Sequence, residues 1–184
     1  MSMKDLLGLF RHVKIDSYEK GEIILRKGET QKKIFFIKKG LIRGYMMNEK
    51  YCEITFQLYP EYHIFGNIYA ILFDEPSKFS FQALEATKVY EVDYNSFIKV
   101  TSRNPNLTEL SRRFVGKKMM KQAFQRVESF VLLSPEERYL KYMNDYPNVI
   151  NRAPDKYIAN VLGITPVSLS RIKGRIASKK IYWI

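Results

Sequence analysis

The chain has 184 residues, with 31 Lys and Arg against 19 Asp and Glu, a formal net charge of +12 and a hydrophobic content of 46%. That content excludes general disorder, the length admits one large domain or two small ones, and the charge points to an anionic partner. The single cysteine, Cys52, excludes a disulfide scaffold, a structural zinc finger and a four-cysteine iron–sulfur centre.

The first half reads as short strands punctuated by glycine. Segments 22–25, 33–38, 41–46, 53–58, 78–84 and 88–92 are rich in Ile, Phe, Tyr and Val, with Gly21, Gly28, Gly40, Gly44 and Gly66 between or within them. Turn-separated strands of this kind predict a compact β-sandwich or barrel-like roll. Asp93 then stands as the N-cap of a short helix through Thr101, and Asn104-Pro105 as the cap and first residue of a much longer one. No further proline intervenes before about residue 132, and Leu107, Leu110, Phe114, Val127 and Phe130 mark an apolar stripe. At ~1.5 Å per residue such a helix is roughly 42 Å long, which suits a dimer seam or a long core helix within one subunit. Ser134-Pro135-Glu136-Glu137 is a capping box with proline at the first helical position, and the helix it opens ends before Pro147. The expected division is therefore 1–103, 104–133 and 134–184. No apolar run approaches the ~20 residues of a membrane span, and the amino terminus is too charged for a signal peptide, so a cytoplasmic setting is expected.

The stretch from Pro154 to Gly174 carries the functional signal. Ile158, Ala159, Leu162 and Ile164 are apolar at helical spacing, and Leu169 and Ile172 repeat the pattern after a break. Gly163 supplies the positive φ that ends a first helix, Thr165 caps a second and Pro166 occupies its first position. Two short helices joined by a tight turn make a helix-turn-helix, whose second helix enters the DNA major groove. Residues 150–184 hold seven basic side chains and one acidic, so +6 of the +12 lies beside this motif. The expected DNA-contacting residues are Thr165, Pro166, Val167, Ser168, Ser170, Arg171, Lys173 and Arg175. Arg171 suits bidentate bonding to guanine or a phosphate clamp, and Ser170 and Val167 suit a base edge or a thymine methyl. Thr165 suits a phosphate at the helix amino terminus. Lys173, Arg175, Lys179 and Lys180 suit backbone contacts, which add affinity and salt dependence without specificity.

The order of parts resembles the Crp/Fnr family of bacterial transcription regulators over nearly the whole chain. The likeness is carried by KGEIILRKG at 20–28, IKKGLIRG at 37–44, FG at 65–66, QALE at 82–85, EERY at 136–139 and LGITPVSLSR at 162–171. The last two resemble versions found in Bacteroidetes members. The resemblance implies an α+β fold: an N-terminal double-stranded, cyclic-nucleotide-binding-like β-roll, a long dimerisation helix and a C-terminal winged helix-turn-helix. It also implies contact with RNA polymerase. Two departures stand out. Members that bind cyclic AMP follow the Phe-Gly with a glutamate for the ribose and place an arginine–serine pair further on for the phosphate. Here Phe65-Gly66 is followed by Asn67, and Ser77-Lys78 aligns with the pair, so the bidentate clamp is missing. The effector pocket of Phe65, Gly66, Asn67, Ser77 and Lys78 is thus expected not to bind cyclic AMP in the usual way. The wing, in turn, is expected to be cut short, with 180–184 offering one strand and Trp183 packing against the helices.

Two histidines, His12 and His63, are too few for a cupin-type metal centre, and neither a phosphate-binding glycine loop nor a nucleophile elbow occurs. No enzyme activity, cofactor or metal is expected. The residues point to a homodimeric, sequence-specific regulator acting on double-stranded DNA. The alternative is a ligand-binding or protein-interaction module whose helix-turn-helix no longer binds DNA.

Overall fold

The computed structural model describes residues 12–102, 105, 108, 109 and 118–181. Eight strands come first: β1 (Val13–Tyr18), β2 (Ile23–Leu25), β3 (Lys33–Lys39), β4 (Ile42–Met47), β5 (Glu53–Tyr59), β6 (Ile64–Gly66), β7 (Ser80–Ala83) and β8 (Thr87–Asp93). They form two antiparallel four-stranded sheets, ordered β1-β8-β3-β6 and β2-β7-β4-β5. Helix α1 (Ile68–Phe73) interrupts the strands and α2 (Tyr94–Thr101) follows them. The expected roll is present, and Asp93 caps α2 by accepting the Ser96 N–H.

Alternation along the strands turns Leu25, Phe35, Ile37, Ile42, Phe65, Phe81 and Val89 into one buried cluster between the sheets. Phe65 stacks on Phe35 at 4.8 Å between ring centroids and lies 4.9 Å from Phe81. Aromatic rings therefore fill the middle of the roll. Within the roll, two strands and a helix escaped the sequence reading. β1 is an edge strand with Ile15 58% exposed, so its apolar signal is weak. β6 has three residues, and α1 is a single short turn-and-a-half whose apolar letters suit a strand equally well.

The helical half comprises α3 (Lys118–Leu132), α4 (Pro135–Asp145), α5 (Pro147–Ile150), α6 (Asp155–Leu162) and α7 (Pro166–Ile181). Ser134 Oγ accepts the Glu137 N–H and the Glu137 carboxylate accepts the Ser134 N–H, completing the expected capping box. Pro105, Thr108 and Glu109 are helical, as is Lys118–Leu132. Asn104, Leu107, Leu110 and Phe114 lie outside the described residues, as does Trp183. The strand expected at 180–184 is corrected in part: Lys180 and Ile181 form the last turn of α7, because Ala177 and the lysines continue a helix that Gly174 does not stop.

Roll and helices share a second core. Leu41 and Leu58 from the roll, each fully buried, pack with Tyr139, Val149, Ile158 and Leu169. Each such leucine contributes roughly 1.5–3 kcal/mol of burial.

Candidate nucleic-acid interface

The two helices of the motif meet through small and branched side chains. Ile158, Ala159 and Leu169 are fully buried and Ile172 is 3% exposed. Gly163 ends α6 at φ +67°, and the Ile164 N–H reaches back to the Ala159 carbonyl at 3.0 Å. A Cβ at Gly163 would also stand 2.5 Å from the Phe130 ring, so α3 packs directly onto the turn. Thr165 Oγ accepts the Ser168 N–H at 3.1 Å and starts α7 with Pro166 at its first position.

With Leu169 and Ile172 turned inward, the opposite side of α7 presents Thr165, Pro166, Val167, Ser170 and Arg171 to solvent, with Ser168 half-buried. Arg171 makes no ion pair or hydrogen bond among the described residues, so its guanidinium is available. Lys173 and Arg175 are different. Lys173 pairs with Asp155 of α6, and Arg175 bonds Glu136 of α4 at 2.9 Å. These two cations brace the helical half.

The expected effector residues do come together, but their polar groups are spent on the fold. Asn67 is fully buried; its Oδ1 accepts the Ala70 N–H and its Nδ2 donates to the Glu29 and Gln31 carbonyls at 2.8 and 3.2 Å. Ser77 Oγ donates to the Phe79 carbonyl at 2.9 Å. Phe65 belongs to the ring stack, and a Cβ at Gly66 would sit 2.5 Å from the Lys33 carbonyl oxygen. Lys78 is exposed, pairs with Glu75 at 3.5 Å and lies over the Tyr69 ring.

Sequence reasoning missed the residues that join the roll to the motif. Arg152 bonds Glu61 through two nitrogens at 2.8 and 2.9 Å and also bonds Glu85. Those bonds hold the Glu61 carboxyl at about 2, well below its ordinary value, and raise the Arg152 guanidinium. Arg43, 3% exposed, is stacked between Tyr45 and Tyr157 at 4.2 and 4.5 Å and bonds Gln82 and Glu53. Asn160 on α6 accepts the Thr55 N–H of β5. The pairings of Arg152 and Asn160 span 67 to 105 residues, which leaves no local spacing to read.

On α3, Met120, Phe124, Val127 and Val131 are all more than half exposed, at spacings of four, three and four. That is a single apolar seam along one helix face. Among the described residues no helix is long and apolar enough to cross a membrane, and no group of three His, Cys, Asp or Glu could hold a metal.

The architecture is that of a two-domain protein, a β-roll followed by helices that include a helix-turn-helix. The cyclic nucleotide-binding domain family matches residues 15–104. The chain is 30% identical over 179 residues to electron transport regulator A of Shewanella oneidensis, across 85% of this chain and 66% of that protein. It is 25% identical to the fumarate and nitrate reduction regulatory protein of Vibrio cholerae, across 89% of this chain and 68% of that one. The chain thus spans about two thirds of the length of these curated relatives. Among solved structures, FixK2 from Bradyrhizobium japonicum superposes with a TM-score of 0.76 at 17% identity, covering 92% of this chain and 86% of that one. A transcriptional regulator of the CRP/FNR family from Thermus thermophilus gives 0.70 at 16%, covering 90% and 87%. At such identities the likeness is one of fold. The chain belongs to the Crp/Fnr family.

Proposed function

We propose that this chain is a sequence-specific DNA-binding transcriptional regulator that acts as a homodimer. The observation that carries the reading is the face of α7: Thr165, Pro166, Val167, Ser170 and Arg171 are exposed while Leu169 and Ile172 anchor the helix. An amino-terminal helix face of this kind reads base edges in the major groove, and the available Arg171 suits guanine. Dimerisation through residues 104–133 is supported by the apolar seam on α3, whose side chains are more than half exposed in one copy. Two such helices about one turn of DNA apart, ~34 Å, match a near-palindromic site. Contact with RNA polymerase follows from the family, and the reading assigns the chain no catalytic step.

The effector domain, on this reading, does not take cyclic AMP in the usual way. Asn67 and Ser77 spend their amide and hydroxyl on backbone bonds of the fold, which leaves no amide or hydroxyl donor for a ribose or phosphate, and rings occupy the roll among the described residues. Calorimetric titration with cyclic AMP tests this; micromolar binding overturns it. The main reading is tested by selecting bound DNA from a random pool. Enrichment of an inverted repeat with half-sites 10–10.5 base pairs apart, roughly one turn, is expected. Binding that never exceeds a nonspecific competitor favours the second reading, a protein-interaction module. The pairing of Lys173 and Arg175 with the protein's own carboxylates is what speaks for that second reading.

A further inference from the structure

A cavity of about 110 Å³ lies where α3, α4 and α6 converge on β5, outside the β-roll interior. It is smaller than the apolar cavity of ~150 Å³ that holds benzene, so it encloses only a compact molecule, and a larger one projects through its open side. Its walls include Arg126, Ser129, Phe130, Tyr142 and Tyr146, with Gln57 at the β5 side. Three features of these walls exceed what packing alone requires.

The first is Tyr142. Its side chain is 8% exposed and its hydroxyl is buried with no hydrogen-bond partner, a state that costs free energy unless something else supplies the partner. Phenylalanine would fill the same space without that cost. The second is Arg126. One of its nitrogens donates to the Phe56 carbonyl at 2.6 Å, but no carboxylate pairs with it among the described residues. Burial also disfavours its charge, lowering its pKa. A desolvated guanidinium with donors to spare gains from an incoming anion. The third is the company these groups keep: the Phe130 and Tyr146 rings supply an apolar wall, and Ser129 and Gln57 supply neutral polar groups. Arg138, Lys141 and Asp145 complete the charged lining: Lys141 pairs with Asp145 at 2.9 Å and Arg138 donates to the Leu133 and Leu162 carbonyls, so the walls carry a surplus of positive charge. A partly apolar pocket with such a surplus is suited to a small organic acid.

We propose that this cavity binds a small organic carboxylate, its oxygens taken by Arg126 and by the Tyr142 hydroxyl once the ring turns that closed-off group into the cavity, with its apolar body lying against Phe130 and Tyr146. The site is distinct from the cyclic-nucleotide pocket of the roll. Phe130 also packs on Gly163 at the turn of the helix-turn-helix, so a ligand touching that ring touches the motif's support.

The test is direct binding to the full chain, measured by ligand-observed NMR and thermal shift without DNA. Acetate, pyruvate, benzoate and 4-hydroxybenzoate are compared with acetamide and benzamide. At least one carboxylate is expected to saturate at millimolar concentration or below, with its amide at least tenfold weaker. Tyr142→Phe is expected to weaken that binding at least tenfold while its own unfolding temperature stays equal or rises, since it removes only an unpartnered hydroxyl. Arg126→Gln is expected to weaken it likewise. No saturable carboxylate binding, equal binding of the amides, or unchanged affinity in Tyr142→Phe each overturns the proposal. Because DNA is absent from the assay, failure here leaves the regulator reading standing, and failure of that reading leaves the site standing.

Discussion

Replacing Arg152 with methionine keeps the apolar stem and removes the charge that ties Glu61 and Glu85 of the roll to the helical half. Glu61 gives the magnitude. The side-chain hydrogen bond from Arg152 is the main reason its pKa falls from 4.5 to about 2, which corresponds to about 3 kcal/mol at ~1.4 kcal/mol per pH unit. The carboxylate is 27% exposed, and solvent screening brings the figure to about 2 kcal/mol. A carboxylate with a depressed folded pKa adds stability that is fully present above its unfolded value and lost as pH falls through the folded one. The contribution is therefore complete at neutral pH and declines from about pH 4.5 toward pH 2, with about 1 kcal/mol gone at pH 3.5.

Urea unfolding followed by circular dichroism reads both effects. At pH 7 the variant is expected to lose about 1 M in midpoint, for a slope of ~2 kcal/mol per M. Between pH 6 and pH 3.5 the wild type is expected to lose about 1 kcal/mol more than the variant, because the variant's Glu61 has no guanidinium to hold its charge. Asp93 and Glu137, whose carboxyls are lowered by the N–H and hydroxyl groups of Ser96 and Ser134, titrate alike in both proteins and cancel from the difference. Equal acid slopes in the two proteins would refute the reasoning, as would a neutral-pH midpoint unchanged within about 0.2 M.

Arg171→Ala is expected to weaken binding to the selected operator ten- to a hundredfold, about 1–3 kcal/mol, with random DNA little affected; equal weakening on both makes Arg171 a phosphate contact. Gly163→Ala forces a side chain into the left-handed region and against Phe130, and is expected to cost about 2 kcal/mol in urea unfolding. In a Phe130→Ala background the same change is expected to cost only about 1 kcal/mol, and an undiminished cost removes the ring from the argument. Val127→Glu places a charge in the middle of the α3 seam and is expected to shift the protein from dimer to monomer in sedimentation velocity without loss of helical signal. A variant that stays dimeric moves the interface elsewhere.

What could be read in the sequence is what local rules govern. The capping box at Ser134, the turn at Gly163 and the Thr165–Pro166 start depend on residues within five positions of one another, so spacing alone revealed them. The roll was legible because alternation buries Phe35 and Ile37 on one face of β3. β1 was not, because an edge strand with one partner can expose an isoleucine. Asn67 shows a different limit. Its letter was read as a departure from a ligand-binding glutamate, while its position made it the cap of α1, and only the fold reveals that its amide is consumed there. Arg152 and Arg43 were invisible as partners because their contacts come from chain segments far apart.

The placement of charge now separates two jobs. Inside the roll the cluster is apolar and stacked, a packing that is stable and leaves little to respond with. At the contact between roll and helices the fold instead keeps, among the described residues, Arg43 with one buried nitrogen unpartnered, Arg126 without a carboxylate, and Arg152 held by two acids from the roll. Desolvated cations are expensive where leucine would pack as well, so they are poor choices for cohesion alone. They suit a joint whose two sides can be biased by small changes in charge, and each of these arginines touches either the motif's first helix, its supporting helix or the segment leading into it. If the chain is the DNA-binding regulator proposed above, a signal that alters its DNA affinity has its shortest route through this joint, which is why the proposed carboxylate site and the Arg152 clasp are the places to perturb first.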